Sequence, residues 1–365
     1  MNRQLSVACV ALSATAIVAV AASAQSRDVV PEAVPADPTS AILDAFKTHQ
    51  VVALDEGNHG NVQGHAFRLA LIRDPRFAAT VNDIVVEFGN SRYQDVMDRF
   101  VRGEEVSFNS LRQAWENTTQ PHAVWDRPIY EEFFGAVRAV NAELPRERQL
   151  RVLLGDPPIN WDSVRSQDDL LGEFKRLETM APGGHRDRYP ADLIRREVVE
   201  KKRRALVIYG GMHLPHRPEI FGPFPSMVSL LESAAKTRAF TIWTHTVGKD
   251  LEGLQRDVAS WRVPSLAITG GTVLGSADFA FYYPFDLAPP PRSGEPPRRA
   301  ARMEEEFDAV LYLGPISAIT LAPMSPARCA DVAFMDMRLA RMALVPGSEG
   351  RITGLKAYCT AQTTK

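Results

Sequence analysis

The chain has 365 residues, of which 45% are hydrophobic and 24% charged, values that are ordinary for a globular protein with a well-buried core. Lysine and arginine number 42 against 44 aspartates and glutamates, which leaves a net charge of −2 at pH 7. Because nucleic-acid binding requires a concentrated basic face, this balance argues against a nucleic-acid partner.

Residues 1–24 predict a secretory signal peptide. Arg3 precedes an apolar stretch from Leu5 to Ala22, and Ala22-Ser23-Ala24 is a small-residue cleavage pattern. We therefore expect cleavage near Ala24, a periplasmic or secreted location and no stable membrane span after cleavage; an uncleaved anchor is the alternative. Residues 25–38 contain three prolines and predict an exposed lead-in.

Between residues 39 and 250, short β-rich runs alternate with helical stretches. This alternation predicts an α/β fold with a mainly parallel central sheet flanked by helices on both faces. Predicted strands lie at 51–54, 83–86, 150–155, 205–209, 240–247, 265–270 and 308–313. Predicted helices lie at 40–49 (capped by Thr39 or Ser40), 60–73, 91–102, 107–117, 127–144, 166–180, 190–204 and 225–237.

Residues 251–365 are expected to complete the sheet as a less regular C-terminal extension. The stretch 284–302 is rich in proline, which cannot pair within a central strand, and predicts a surface loop or, alternatively, a substrate lid. Cys329 and Cys359 are the cysteines left after signal cleavage, and in an exported chain we expect them to form a disulfide.

Titratable side chains follow four predicted strands at the point where each strand ends. In open parallel sheets, ligands bind outside the carboxyl ends of the strands. We therefore predict a site at one rim of the sheet, built from Asp55, Glu56 and His59 after the first strand, Glu87 after the second, Asp156 after the third and His213 after the fourth.

His59 beside Glu56 is the arrangement that general-base catalysis needs. The acid fixes the tautomer and keeps the imidazole basic enough to take a proton from water. Glu87 would orient the water or hold a second proton; alternatively, it caps a helix that begins near Ser91.

A helix that begins near residue 60 would direct its free backbone N–H groups at the strand ends and favour an anionic ligand. Along it, Asn61, His65 and Arg68 share one face, and an apolar stripe of Val62, Ala66, Leu69 and Ala70 is predicted to pack on the sheet. Arg68 then either leans toward the site or lies on the surface.

The glycines of Gly210-Gly211-Met212-His213 allow close approach of the backbone to a ligand. Two further histidines are weaker candidates: His216, which follows Pro215 and reaches the site or only solvent, and His245, which ends a strand and borders the pocket. Together with Asp55 and Asp156 they are assigned to substrate binding. Imidazole and carboxylate also suit a divalent metal, for which the predicted ligands are Glu56, His59, Glu87 and His213.

These motifs resemble, in order, those of the erythromycin esterase-like family, within the superfamily of ChaN-type haem-uptake and Tiki/TraB proteins. Leu54-Asp55-Glu56-Gly57-Asn58-His59-Gly60 resembles the family's Leu-Gly-Glu-x-x-His-Gly turn, and Gly210–His213 fits Gly-x-x-His. Further similar segments within residues 50–216 are Val85-Val86-Glu87, Trp125–Asn141, Leu150–Pro157 and Arg186–Asp192.

The resemblance implies a hydrolase-like site with His59 as base, supported by Glu56 and Glu87. Arg68, Arg186 and His213 would bind substrate or stabilise an oxyanion.

Three departures from the family pattern argue against macrolide esterase activity. Asp55 replaces the usual glycine, Gly210 stands where macrolide-inactivating members carry a histidine, and Pro190 and Leu193 alter the family's Met-Ala-Asp-Asn segment. Three functions follow: an exported hydrolase that cleaves an ester or related acyl bond of a small molecule; a haem- or metal-binding protein of the ChaN type without turnover; and a metal-dependent hydrolase or peptidase of the Tiki type. The expected cofactor is correspondingly none, haem or a divalent metal.

Overall fold

The computed structural model describes residues 30–217, 225–283 and 301–363. The predicted signal peptide, the first residues of the lead-in and residues 284–300 of the proline-rich stretch lie outside the described residues. Within the described ranges, no helix is both long and apolar enough to span a bilayer.

Seven strands form one sheet in the order β3-β2-β4-β1-β5-β7-β6. All neighbouring strands are parallel except β6, which is antiparallel to β7. The predicted mainly parallel sheet is therefore confirmed. The strands are β1 Val51–Asp55, β2 Asp83–Asn90, β3 Arg151–Asp156, β4 Ala205–Tyr209, β5 Phe240–His245, β6 Ser265–Ile268 and β7 Ala309–Tyr312.

Helices cover both faces of the sheet, so successive strand residues are buried in two different cores. Val52 and Leu54 pack in one core, while Val51 and Ala53 pack in the other. The helices are α1 Pro38–Ala45, α2 Val62–Arg73, α3 Pro75–Thr80, α4 Gln94–Val101, α5 Phe108–Glu116, α6 Pro128–Ala142, α7 Gln167–Met180, α8 His185–Ile194, α9 Met227–Ala235, α10 Val273–Ser276, α11 Met303–Glu306, α12 Pro326–Ala330, α13 Val332–Ala343 and α14 Glu349–Thr363.

Two predicted helix starts are wrong. Helix α1 is capped by Asp37, whose carboxylate accepts the N–H of Ser40, because Pro38 suits the first helical position. Helix α8 begins at His185 rather than at Pro190 and continues as a π-helical turn to Val199. Its start is fixed by Glu178, whose carboxylate accepts the N–H groups of Gly183, Gly184 and His185.

The C-terminal part is more regular than predicted, since it ends in the three helices α12, α13 and α14. Gly350 and Gly354 lie in α14, and glycine lowers helix propensity by about 1 kcal/mol, which obscures the helix in the sequence. Cys329 and Cys359 form a disulfide that joins α12 to α14. At the other end of the chain, the lead-in is mostly exposed, but Ala33 is buried and Ala36 pairs with Leu266.

Candidate active site

The strand order brings three chain segments together at the carboxyl edge of the sheet. Because β4 lies between β2 and β1, the residues at the ends of these three strands are neighbours. Together with residues at the end of β5 and the start of α8, they line an open cavity of about 440 Å³. Its titratable lining includes Asp55, His59, Glu87, Arg186, Asp187 and His213.

His59 and Glu56 form a hydrogen-bonded pair beside this cavity. His59 Nδ1 lies 2.9 Å from Glu56 Oε2, while the other oxygen, Oε1, accepts the hydroxyl of Tyr130 at 2.8 Å and lies 3.6 Å from the Arg68 guanidinium. Glu56 is fully buried, whereas 33% of the His59 side chain is exposed. Because Nδ1 is bound to Glu56, the free Nε2 is the nitrogen available to a molecule in the cavity.

The turn between β1 and α2 places His59 over Glu56. Gly57 has φ +70°, and a Cβ there would lie 2.6 Å from the Thr246 hydroxyl, so the position requires glycine. Asn61 fixes the rest of the turn. Its amide donates to the carbonyls of Glu56 and Asn58, and its oxygen caps α2 by accepting the N–H of Gly64.

The surroundings of His59 make it a stronger base than an exposed histidine. Burial alone would lower its pKa, but the hydrogen bond to Glu56 and the negative charges of Glu56, Glu87 and Asp55 raise the pKa above the usual 6.5. Trp125 lies edge-on to the imidazole, with the ring centroids 4.5 Å apart, and restrains its tilt.

Helix α2 packs on a different face from the predicted one. Val62, Ala66 and Ala70 are exposed, whereas Leu69 of the predicted stripe is buried together with His65 and Arg68. The buried face also carries Phe67, Leu71 and Ile72, and its polar side chains have acidic partners: Arg68 pairs with the buried Glu56, and His65 with the exposed Glu132 at 3.0 Å. Of the two possibilities for Arg68, the structure thus places it toward the site.

The start of α2 does not offer the expected anion site. The N–H of Val62 donates to the carbonyl of Thr320, and the N–H of Gly64 donates to Asn61. These groups are satisfied within the protein, so they are not presented to a ligand.

Glu87 lies within β2, which continues to Asn90, rather than after its end. Its carboxylate accepts the N–H of Gly210 at 2.8 Å and the guanidinium of Arg186 at 2.6 Å. Burial would raise its pKa, but the charges of His213, His59 and Arg186 hold the pKa well below the usual range. Glu87 therefore stays ionised and does not hold a second proton. The helical turn near Ser91 is capped by Asn90 instead.

Arg186 and His213 place positive charge beside Glu87. His213 Nδ1 lies 2.7 Å from Asp187 Oδ1, and Nε2 lies 3.6 Å from Glu87. Burial alone would lower the pKa of His213, but Asp187 and Glu87 raise it far above 6.5. His213 is therefore an imidazolium at neutral pH. Arg186 and Asp187 reach the cavity because both lie in the first turn of α8.

Three residues assigned to substrate binding do not line the cavity. Asp156 is buried and accepts the N–H and hydroxyl of Thr119, and burial raises its pKa to about 7. His216 is held between Glu232 and Asp308, each 3.0 Å away. His245 is fully buried against Tyr282. These assignments were wrong because a position after a strand does not fix the direction of the side chain.

The predicted metal ligands do not form a metal site. Among the described residues, no group of three or more His, Cys, Asp or Glu side chains is placed to hold a metal ion. Glu56 and Glu87 are each occupied by protein donors, and both ring nitrogens of His213 face carboxylates. His213 therefore offers no free nitrogen to a metal or a haem iron, whereas Nε2 of His59 is free.

Four further residues of the site had no assigned role in the sequence analysis. Tyr130 and Trp125 hold Glu56 and His59, Asp187 holds His213, and the amide of Gln120 donates to Glu87 at 3.2 Å. Asp187, Trp125 and Tyr130 lie in two segments of the family resemblance, which was the available signal. Gln120 lies outside the named segments, and its contact depends on tertiary packing.

No family model and no curated protein sequence matches the chain. Solved structures do. A succinoglycan biosynthesis protein matches with a TM-score of 0.52 at 9% identity, over 78% of this chain and 95% of its own. A Bacillus cereus protein matches with a TM-score of 0.50 at 12% identity, over 77% and 94% of the two chains. A variant of erythromycin esterase EreC in its open conformation matches with a TM-score of 0.48 at 12% identity, over 75% and 92%. At 9–12% identity, the first two likenesses show a shared fold and nothing finer.

Proposed function

We propose that the protein is an exported hydrolase that uses His59 to activate water for cleavage of an ester or related acyl bond in a small molecule. The observation that carries the proposal is the pair of His59 and Glu56, with the carboxylate buried and the free imidazole nitrogen open to the cavity. Export rests on the signal-peptide pattern of residues 1–24.

In this reaction His59 Nε2 takes a proton from water as the water oxygen attacks the acyl carbon. The resulting imidazolium is stabilised by Glu56, whose other oxygen is held by Tyr130 and faces Arg68. Negative charge develops on the carbonyl oxygen, and the cationic side chains on the same cavity, Arg186 and His213, stabilise it.

The direct test is turnover of a panel of carboxylic esters by the mature protein across a range of pH. The base works only when neutral, so kcat/KM should rise with pH through the pKa of His59, with a midpoint above 6.5. Absence of turnover with every ester in the panel would contradict the proposal.

Glu56→Gln should shift the rise of kcat/KM to lower pH and reduce its maximum. Glutamine removes the charge that raises the pKa of His59, while burial, which lowers the pKa, remains. Glu132→Gln is the matched control, because Glu132 binds His65 outside the cavity and should leave the profile unchanged. Equal pH midpoints for wild type and Glu56→Gln would argue against His59 as the titrating base.

Gly210→Ala should lower kcat/KM by about 10–100-fold, because small displacements of reacting groups have effects of that size. The added Cβ would lie 3.2 Å from His59 Cε1 and 3.3 Å from Glu87 Oε2, in space that the substrate needs. Gly210 has φ −62°, which alanine adopts readily, so the free energy of unfolding should change by less than about 1 kcal/mol. Gly172→Ala, with no atom within 4 Å of the new Cβ, is the control.

A further inference from the structure

Asp55 is a buried carboxyl group at the end of β1 that faces the same cavity as His59. Only 2% of the residue is exposed. Its two oxygens are held by backbone N–H groups, Oδ1 by Gly57 at 2.8 Å and Oδ2 by Thr244 at 3.0 Å. The carboxyl group is therefore fixed in orientation, yet each oxygen keeps a lone pair beyond its hydrogen bond.

Two consecutive glycines place Asp55 next to the base. A Cβ on Gly210 would lie 3.2 Å from His59 Cε1, and a Cβ on Gly211 would lie 3.0 Å from Asp55 Cγ. Consecutive Cα atoms are about 3.8 Å apart. The backbone of Gly210 thus approaches the imidazole and that of Gly211 approaches the carboxyl group, while the Trp243 ring fills the space of a Cβ on Gly211. Both Asp55 and His59 line the cavity.

The surroundings of Asp55 favour a protonated carboxyl group. Burial raises its pKa to about 7; the N–H groups of Gly57 and Thr244 and the charge of His59 lower it, and the charge of Glu56 raises it. Tyr283 lines the same cavity, and burial raises the pKa of its phenol. An acid and a base with different proton affinities on one cavity are what acid–base catalysis of acyl transfer requires.

We propose that Asp55 is the general acid that protonates the departing alcohol, an inference that rests on the proposed hydrolase function. His59 takes one proton from water as the water oxygen bonds to the acyl carbon. The tetrahedral intermediate then collapses, the ester C–O bond breaks, and the carboxyl proton of Asp55 passes to the alcohol oxygen. The proton on His59 returns to Asp55 through cavity water, so that ester and water give acid and alcohol with both residues restored.

The test uses esters with one acyl group and a graded series of alcohols, from 4-nitrophenyl to simple alkyl. A nitrophenolate can leave as the anion. An alkoxide is too basic to do so and must receive a proton as it leaves. Asp55→Asn should therefore lose about 10²–10⁴-fold in kcat/KM on alkyl esters and less than about 10-fold on the nitrophenyl ester. The ratio of the two rates in one preparation does not depend on the fraction of folded protein. In Asp55→Ser the smaller hydroxyl can still accept a hydrogen bond. This variant should also lose more kcat/KM on alkyl esters than on the nitrophenyl ester.

A loss of equal size across the whole series in both variants would overturn the acid role of Asp55 and leave the hydrolase proposal standing. No turnover of any ester by the wild-type protein would overturn both. His59→Gln supplies the contrast, since loss of the base should lower the rates for nitrophenyl and alkyl esters alike.

Discussion

His59→Gln should lower kcat/KM for ester hydrolysis by about 10²–10⁴-fold, the usual contribution of a positioned base. This corresponds to about 3–5 kcal/mol of transition-state stabilisation. Glutamine can keep a hydrogen bond to Glu56 but cannot take a proton from water at neutral pH. Steady-state kinetics across the ester panel measures the loss. Because Arg186 and His213 remain in place, most of it should appear in kcat rather than in KM.

His49→Gln is the matched control for that substitution. His49 lies just before β1, at the opposite edge of the sheet, where its Nδ1 is 2.9 Å from the Thr48 hydroxyl. The same chemical change there should leave both kinetic constants as they are. Wild-type rates in purified His59→Gln would refute the role of His59 as base.

The sheet could be predicted from the sequence because its strands are buried on both faces. Such strands are nearly continuous apolar runs, as in Val51–Leu54 and Ala205–Ile208, and they stand out from the helices between them. The rule that ligands bind at the carboxyl ends of parallel strands then brought together Glu56, His59, Glu87 and His213. The order β2-β4-β1 is the reason these four lie close together.

The same rule could not tell which side chains near a strand end face the cavity. At the end of β5, Trp243 and Thr246 line the cavity, whereas His245 turns into the core against Tyr282. β3 is an edge strand beyond β2, and its Asp156 is held by Thr119. Sheet order and side-chain direction are tertiary properties, and the local pattern does not contain them.

Helix α2 shows how a buried charge can defeat the analysis of a helix face. The apolar stripe predicted the inward face from hydrophobicity, but Arg68 is inside because Glu56 is inside. A buried carboxylate needs a cation or hydrogen-bond donors near it. Glu56 obtains them from Arg68, Tyr130 and His59. The face of α2 that carries Arg68 therefore turns inward together with its core residues Phe67, Leu71 and Ile72.

The C-terminal helices support one wall of the site. Arg338 of α13 is buried and pairs with the buried Asp126 at 2.6 Å; it also donates to the carbonyls of Glu116 and Pro121. The loop that these contacts hold includes Gln120, which contacts Glu87, and Trp125, which contacts His59. Helix α13 lies outside residues 50–216, which carry the family resemblance, yet its Arg338 stabilises the loop that contacts His59 and Glu87.

Arg338→Met should lower the free energy of unfolding by about 3–5 kcal/mol, because it leaves the Asp126 carboxyl group buried without its cation. Urea denaturation measures the change. Asp126→Leu in the same chain should restore part of the loss, since removing both charges leaves neither one unpaired, and the two single and one double variants form a complete cycle. A change within about 0.5 kcal/mol for Arg338→Met would show that the pair is not needed for stability. A large loss that Asp126→Leu does not reduce would instead assign the effect to the carbonyls of Glu116 and Pro121, which lose their donor in either background.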